Sequence, residues 1–444
     1  MIKKLFTPVC IFISLLFLAY VLYKSEIIFA GSYREHYYKH YILSFILITF
    51  SICTFYINRE IKEYLSIIFL SIFFSAYSFE FYLDNSLKSK EELKILEIKK
   101  DIYKNKTGKE YDERSPHQVY KDLIKKDTNT VPFFYPSKMN IRNKEIYSLA
   151  GISNSPTVFC NENGYYSTYE SDRYGFNNPD DEWDSDEFEF VFVGDSFTHG
   201  ACVNRPNDIP SVLRELSNKS TLNLGYGRNG PLIEYAVLRE YLPKKTKNIV
   251  FMYYGGNDLT NLNEELNHKI LLKYLDDQKF SQNIKSLQNV IDVELRKHVK
   301  SRSEAFSYSF IKLTLLRTKL KRNILINKKI KKEKKEKFKL DQLEKILFLT
   351  KKLSIENNSK LYFVYLSAPR YTANETQPKD DLKYFKDIKS IVEKLEINFI
   401  DIHKKVFKNK KNPLELFPFE LSGHYNVKGY REIAEAIYKD ISKY

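Results

Sequence analysis

The chain has 444 residues, 43% of them apolar and 15% aromatic, and a formal charge of +15. That length accommodates two or three units, each able to bury a core. Four cysteines without a CxxC or Cys/His cluster carry no signal for a metal or cofactor site. The positive charge is uneven: Lys328 to Lys339 holds eight lysines against two glutamates, which reads as a solvated face and not as a nucleic-acid surface.

Residues 5–23, "LFTPVCIFISLLFLAYVLY", contain no charge, nor do residues 41–58 or 64–79. A helix needs about 20 apolar residues to cross the hydrocarbon core. The first two runs meet that length, and the third does so if Glu80 and Asp84 lie at the interface. A cleavable signal peptide would account for the first run only. Residues 1–84 therefore read as a membrane region of about three helices, with lipid as a partner. Lys3 and Lys4 favour a cytoplasmic N-terminus, which after three spans places the rest of the chain outside. Lys24, Arg34 and Lys39 in the first loop argue the other way; the exported reading is kept.

Residues 85–130 are charged, with Leu93, Ile95, Leu96 and Ile98 at helical spacing, and read as a helical linker. Residues 131–187 are rich in Pro, Asn, Gly, Tyr and Asp, with turn signals in "NENG" and "NNPDDE". Short strands and turns packing on the following domain are expected there. Cys160 lies in this segment and Cys202 six residues after Ser196. They form one disulfide if this part is exported, or two unrelated thiols if it is not.

From 188 to 444 strand and helix patterns alternate. Strands read at 188–193, 220–224, 248–254, 361–366 and 397–402; helices read at 208–217, 231–242, 341–356, 381–395 and 427–442. Continuous apolar strands between helices predict a parallel sheet covered on both faces, with ligands bound beyond the carboxyl ends of the strands. Each polar cluster follows a strand: Gly194-Asp195-Ser196, then Asn223 to Gly230, then Gly255-Gly256-Asn257-Asp258. His424 stands before the terminal helix. Taken singly, these are ordinary caps and turns. Together they can perform acyl chemistry. Ser196 needs a base, which His424 can supply, and an oxyanion needs donors such as loop N–H groups, the Ser196 N–H and the Asn257 amide. Asp195 and Asp258 read as turn-holding residues. His199 is expected to point away from Ser196 or to line the pocket.

"GDSFTHG", "NLGYGRNG", "GGND" and "GHYNVKGY", in that order, resemble the four blocks of the SGNH (GDSL-type) hydrolase superfamily. The resemblance covers about residues 188–444. It implies a flavodoxin-like three-layer α/β fold and a bacterial enzyme that cleaves or transfers acyl esters. By motif Ser196 matches the nucleophile, Asn257 the oxyanion amide and His424 the base. "SDRYGFNNPD" upstream resembles the segment that precedes the GDSF block in bacterial members.

Two positions depart from the pattern. The glycine N–H of the second block falls on Gly227 or Arg228, and the Arg228 side chain could cover the site. The acid expected two or three residues before the histidine is replaced by Leu421 and Ser422. Glu420 is the nearest acid, and Asp401 a more distant one. The stretch 260–340 is a helical insertion, expected to cap the site or lie on the membrane surface. The reading is a serine esterase or O-acyltransferase of the bacterial inner membrane, with its catalytic domain periplasmic. It acts on acyl esters, foremost acetyl esters, with cell-surface glycans as the substrate class. The rival is a catalytically decayed module that binds or assembles.

Overall fold

The computed structural model describes residues 2–31, 33–85, 90–141, 144–307, 309–322, 339–366, 380–421 and 423–443. The lysine run, Lys339 excepted, and Ser422 fall outside the described residues. The chain forms two compact units.

The first unit draws on residues 1–94, 140–144 and 300–336. Its helices are α1 (Ile2–Leu22), α2 (Arg34–Cys53) and α3 (Arg59–Asn85). The segments Leu5–Ile28, Arg34–Tyr56 and Arg59–Asp84 are long and apolar enough to cross a membrane, with mean hydropathies of 2.5, 1.3 and 1.5. α1 meets α2 and the 3-10 turn that follows it, Thr54–Tyr56, through small hydroxyl side chains. Ser14 Oγ lies 2.8 Å from Ser51 Oγ, and Thr54 Oγ1 donates to Thr7 Oγ1 at 3.0 Å. Such contacts hold apolar helices together where packing against another helix gains no hydrophobic energy. Part of the insertion joins this unit. Glu80 of α3 is 1% exposed and accepts the Leu315 and Leu316 N–H groups at 2.9 and 2.8 Å, capping the helix over 314–322. Tyr77 Oη donates to the Ile311 carbonyl at 2.7 Å.

The second unit draws on residues 95–139, 145–299 and 337–444. Its sheet has five strands: β1 (Phe188–Val193), β2 (Thr221–Asn223), β3 (Thr246–Tyr254), β4 (Lys360–Leu366) and β5 (Asn398–Asp401). Their order is β2-β1-β3-β4-β5, and every pairing is parallel. Val191 stands opposite Leu222 on one side and Ile249 on the other.

The pleat sends alternate side chains to opposite faces. On one face Phe190, Phe192, Val250, Met252 and Val364 pack with Val212 and Leu213 of a helix at Ile209–Ser217. Ile433 and Ile437 of the terminal helix, Val427–Ile441, complete that cluster. On the other face Phe251 stacks on Phe363 at 5.9 Å, and Tyr365 meets Phe385 of the helix Asp380–Lys394 at 5.0 Å. Both faces are buried, so the strands read as unbroken apolar runs.

Segments before β1 also belong to this unit. A three-stranded sheet joins Val131–Pro132, Pro156–Val158 and Thr168–Glu170. Asp172, fully buried, accepts from the N–H groups of Tyr174 and Phe176, from Asn178 Nδ2 and from Trp183 Nε1. Asn178 in turn pairs with both the N–H and the carbonyl of Asn223 at the end of β2. Most of the expected linker packs here too: Asp112 N–H donates to the Gly164 carbonyl at 2.9 Å, and Tyr103 covers Gly164.

Candidate active site

β1 ends at Val193, and the chain turns at once into a short helix, Ser196–His199. Gly194 permits the turn: a Cβ there would collide with Thr198 Oγ1 and lie 2.8 Å from Met252 Cβ. Asp195 caps the helix, its Oδ1 accepting the Phe197 N–H at 2.9 Å. Burial raises the Asp195 carboxyl to a pKa of about 6. The cap thus leaves Ser196 at the first helical position, at the carboxyl edge of the sheet.

Ser196 Oγ lies 2.8 Å from His424 Nε2. The ring of Phe197, 4.8 Å away, backs the imidazole. The other ring nitrogen, Nδ1, lies 3.0 Å from Glu162 Oε1, and the His424 backbone N–H donates to Glu162 Oε2 at 2.7 Å. Both oxygens of one carboxylate therefore hold one residue. Burial works against an imidazolium at His424, but the hydrogen bond and charge of Glu162 outweigh it and raise its pKa above the ordinary value. Burial likewise opposes the Glu162 carboxylate, and the bonds from His424 overcome this and lower its pKa.

Glu162 is the acid that the sequence reading did not find. It lies in "NENG", whose composition signals a turn. Glu420, the residue expected in that place, instead accepts from Asn412 Nδ2 at 3.1 Å and has a left-handed φ of +57°. Asp401 accepts the Lys404 N–H at 3.1 Å, within its own loop. The loop carrying Glu162 is fixed to the nucleophile loop by a disulfide between Cys160 and Cys202. Asn163 Nδ2 adds a bond to the Cys202 carbonyl at 2.9 Å. The signal that could have led to Glu162 is that cysteine pair, since one partner follows Ser196 closely and the other stands two residues before the glutamate.

The segments expected to supply oxyanion donors follow the ends of β2 and β3. Asn257 follows β3, and Asp258 Oδ2 holds that turn by accepting the Tyr254 N–H at 2.7 Å. The Asn257 side chain does not cap the helix it precedes, Asp258–Glu265, and its Oδ1 is buried without a hydrogen bond among the described residues. After β2, Asn229 N–H bonds the Tyr226 carbonyl at 3.1 Å, closing a four-residue turn with Gly227 and Arg228 at its centre. Arg228 has φ +70°, the glycine-favoured third position of a type II turn. Gly227 and Arg228 are now distinguishable: the Gly227 N–H is already given to His199 Nδ1, at 3.2 Å. Arg228 also does not cover the serine. Its guanidinium lies 3.0 Å from Glu264 Oε2 and over the Tyr135 ring.

One set of three potential metal-ligating atoms clusters among the described residues, from Glu162, Cys202 and His424. The Cys202 sulfur is committed to the disulfide and both side-chain groups of the pair to each other, so this donor set does not fit a metal.

No protein-family model matches the chain, and no curated protein matches it. Among solved structures it is similar to a protein assigned to the G-D-S-L lipolytic family from Desulfitobacterium hafniense DCB-2, at 13% identity and a TM-score of 0.33, over 57% of this chain and 99% of that one. It is also similar to the acetyl xylan esterase AlAXEase, at 15% identity and a TM-score of 0.34, with 57% and 99% covered. The acetylxylan esterase Axe2 from Geobacillus stearothermophilus gives 14% identity and a TM-score of 0.31, with 57% and 94% covered.

Proposed function

We propose that this chain is a membrane-anchored serine esterase or O-acyltransferase. The observation that carries this reading is the unbroken relay from Glu162 through His424 to Ser196, with 3.0 and 2.8 Å links. Ser196 Oγ attacks the ester carbonyl as His424 Nε2 takes its proton. Glu162 keeps the other ring proton on Nδ1, so that Nε2 presents its lone pair to the serine. The oxyanion is held by the N–H groups of Ser196 and Arg228 and by the Asn257 amide. The alkoxide leaves with the proton returned by His424, and the acyl-serine is released to water or to a sugar hydroxyl.

The parallel order β2-β1-β3-β4-β5, with helices packed on both faces, supports a three-layer flavodoxin-like arrangement. Three apolar helices support anchoring in the inner membrane of a bacterium. The Cys160–Cys202 disulfide supports an extracytoplasmic site, since such bonds persist in oxidising compartments. Cell-surface glycan acetyl esters are the substrate class that fits a site anchored there. The decayed-module reading rested on a missing acid and on Arg228; Glu162 supplies the first, and the Arg228 side chain lies against Glu264.

A fluorophosphonate probe tests the reading. The full chain in detergent is expected to form a serine adduct that Ser196→Ala abolishes. A folded wild-type chain that forms no such adduct refutes it.

A further inference from the structure

His199 has no part in the relay, yet it is fully buried and bears a polar ring among aromatic side chains. Its ring stacks against Tyr226 at 4.6 Å and lies 4.5 Å from Phe159, with Tyr169 and Phe133 at 5.1 and 5.5 Å. These four rings leave the imidazole no freedom to turn. Its main chain is fixed as well: Asn177 Nδ2 donates to the His199 carbonyl at 2.9 Å, and Asn223 Nδ2 to the Thr198 carbonyl at 2.9 Å.

Among the described residues the one polar contact of the ring is on Nδ1, which accepts the Gly227 N–H at 3.2 Å, and Nε2 is buried without a partner. A ring nitrogen that accepts carries no proton, so the proton of this neutral imidazole is on Nε2. Burial and the nearby His424 lower the His199 pKa to about 3, which keeps the ring neutral and Nδ1 an acceptor at any working pH.

Gly227 is the second residue of the type II turn, and Arg228 the third. The peptide between them carries the Arg228 N–H. The Gly227 N–H belongs to the peptide before it, which joins Tyr226 to Gly227, so a bond to that N–H fixes where the turn starts against the nucleophile helix.

We propose that His199 is a positioning residue for the oxyanion hole: by accepting the Gly227 N–H it fixes where the turn begins, and so sets the place of the Arg228 N–H relative to Ser196. This rests on the esterase reading above. The nucleophile helix and the oxyanion turn are thereby tied together through one side chain, three residues after Ser196.

The test compares three substitutions in the full chain in detergent. His199→Phe keeps the ring stack but has no acceptor. His199→Asn places its Oδ1 where Nδ1 stood, and His199→Gln places its amide beyond that point. Thermal unfolding, kcat and KM for p-nitrophenyl acetate, and affinity for a boronic acid (a mimic of the tetrahedral intermediate) are measured for each. For His199→Phe, kcat is expected to fall roughly tenfold to a hundredfold, with KM within about twofold and boronate affinity lost in step. His199→Asn is expected to recover most of kcat even where it unfolds at lower temperature. A His199→Phe enzyme with unchanged kcat overturns the proposal. So does a loss of kcat without loss of boronate affinity, or a His199→Asn enzyme as slow as His199→Phe. Should His199→Phe fail to fold, the Asn to Gln ratio of kcat decides: Asn faster supports the proposal, and equality overturns it. A wild-type chain with no Ser196-dependent turnover overturns the esterase reading and this inference together, whereas slow variants of an active wild type bear on His199 alone.

Discussion

Replacing Glu162 by Gln tests the relay at its least expected member. Two donors converge on this carboxylate, the His424 backbone N–H at 2.7 Å and the ring Nδ1 at 3.0 Å. A glutamine has one carbonyl oxygen for these two donors. The backbone N–H cannot change its role, so the oxygen settles there and the amide NH₂ faces Nδ1. That favours the tautomer with the proton on Nε2, which cannot accept from Ser196. In a serine triad the equivalent wrong-tautomer defect costs about 10⁴ in kcat, so a loss of about 10²–10⁴ is expected here. The pH profile supplies an independent check. Glu162 raises the His424 pKa, and catalysis needs the neutral ring, so wild-type kcat/KM falls as pH drops through a value above the ordinary 6.5. Without the carboxylate, burial is opposed only by the lesser pull of Asp195, and the acid limb moves to lower pH. The stability effect has its own window. The lowered Glu162 pKa stabilises the fold above the ordinary carboxyl value, and the raised His424 pKa does so below the ordinary imidazole value. The destabilisation, about 1–3 kcal/mol for bonds to a charged group, is therefore largest between roughly pH 4.5 and 6.5. Stopped-flow or plate assays over pH 5 to 9, with thermal unfolding at the same pH values, measure all three. Unchanged kcat together with an unmoved acid limb refutes the assignment.

Other expectations follow from the same geometry. Cys160→Ser with Cys202→Ser opens a loop with a sequence separation of 42 residues, which the chain-entropy model values at about 4 kcal/mol. Because that loop carries Glu162, kcat should fall even at temperatures where the double variant stays folded; a folded variant of full activity counts against it. Asn257→Ala removes the amide proposed as an oxyanion donor and should lower kcat by about 10²–10³ with KM little changed, read from initial rates. Gly194→Ala puts a methyl against Thr198 Oγ1 and Met252. Thermal unfolding should report a loss of about 1–3 kcal/mol, the usual cost of overpacking.

Much of this protein is written in local pattern. The three apolar runs, the five strands and the helices between them are properties of short windows, because burial on both faces of a parallel sheet forces unbroken apolar residues. The meeting of Ser196 with His424 was legible for the same reason: each follows or precedes a regular element whose end lies at the carboxyl edge of the sheet. The acid was not. Glu162 and His424 are 262 residues apart, and no local spacing links them. "NENG" looks like a turn because it is one, and its carboxylate becomes part of the relay only when the Cys160–Cys202 bond and Asp112 bring that turn beside His424. The choice between Gly227 and Arg228 was equally tertiary. Both stand one residue apart in the same block, and the imidazole of His199, fixed among aromatic rings from other segments, engages the first N–H. The sequence determined which edge of the sheet would gather the polar clusters and which serine and histidine would meet there. Folding alone decided which carboxylate meets His424 and which turn N–H meets His199, because those depend on contacts between segments that share no periodicity.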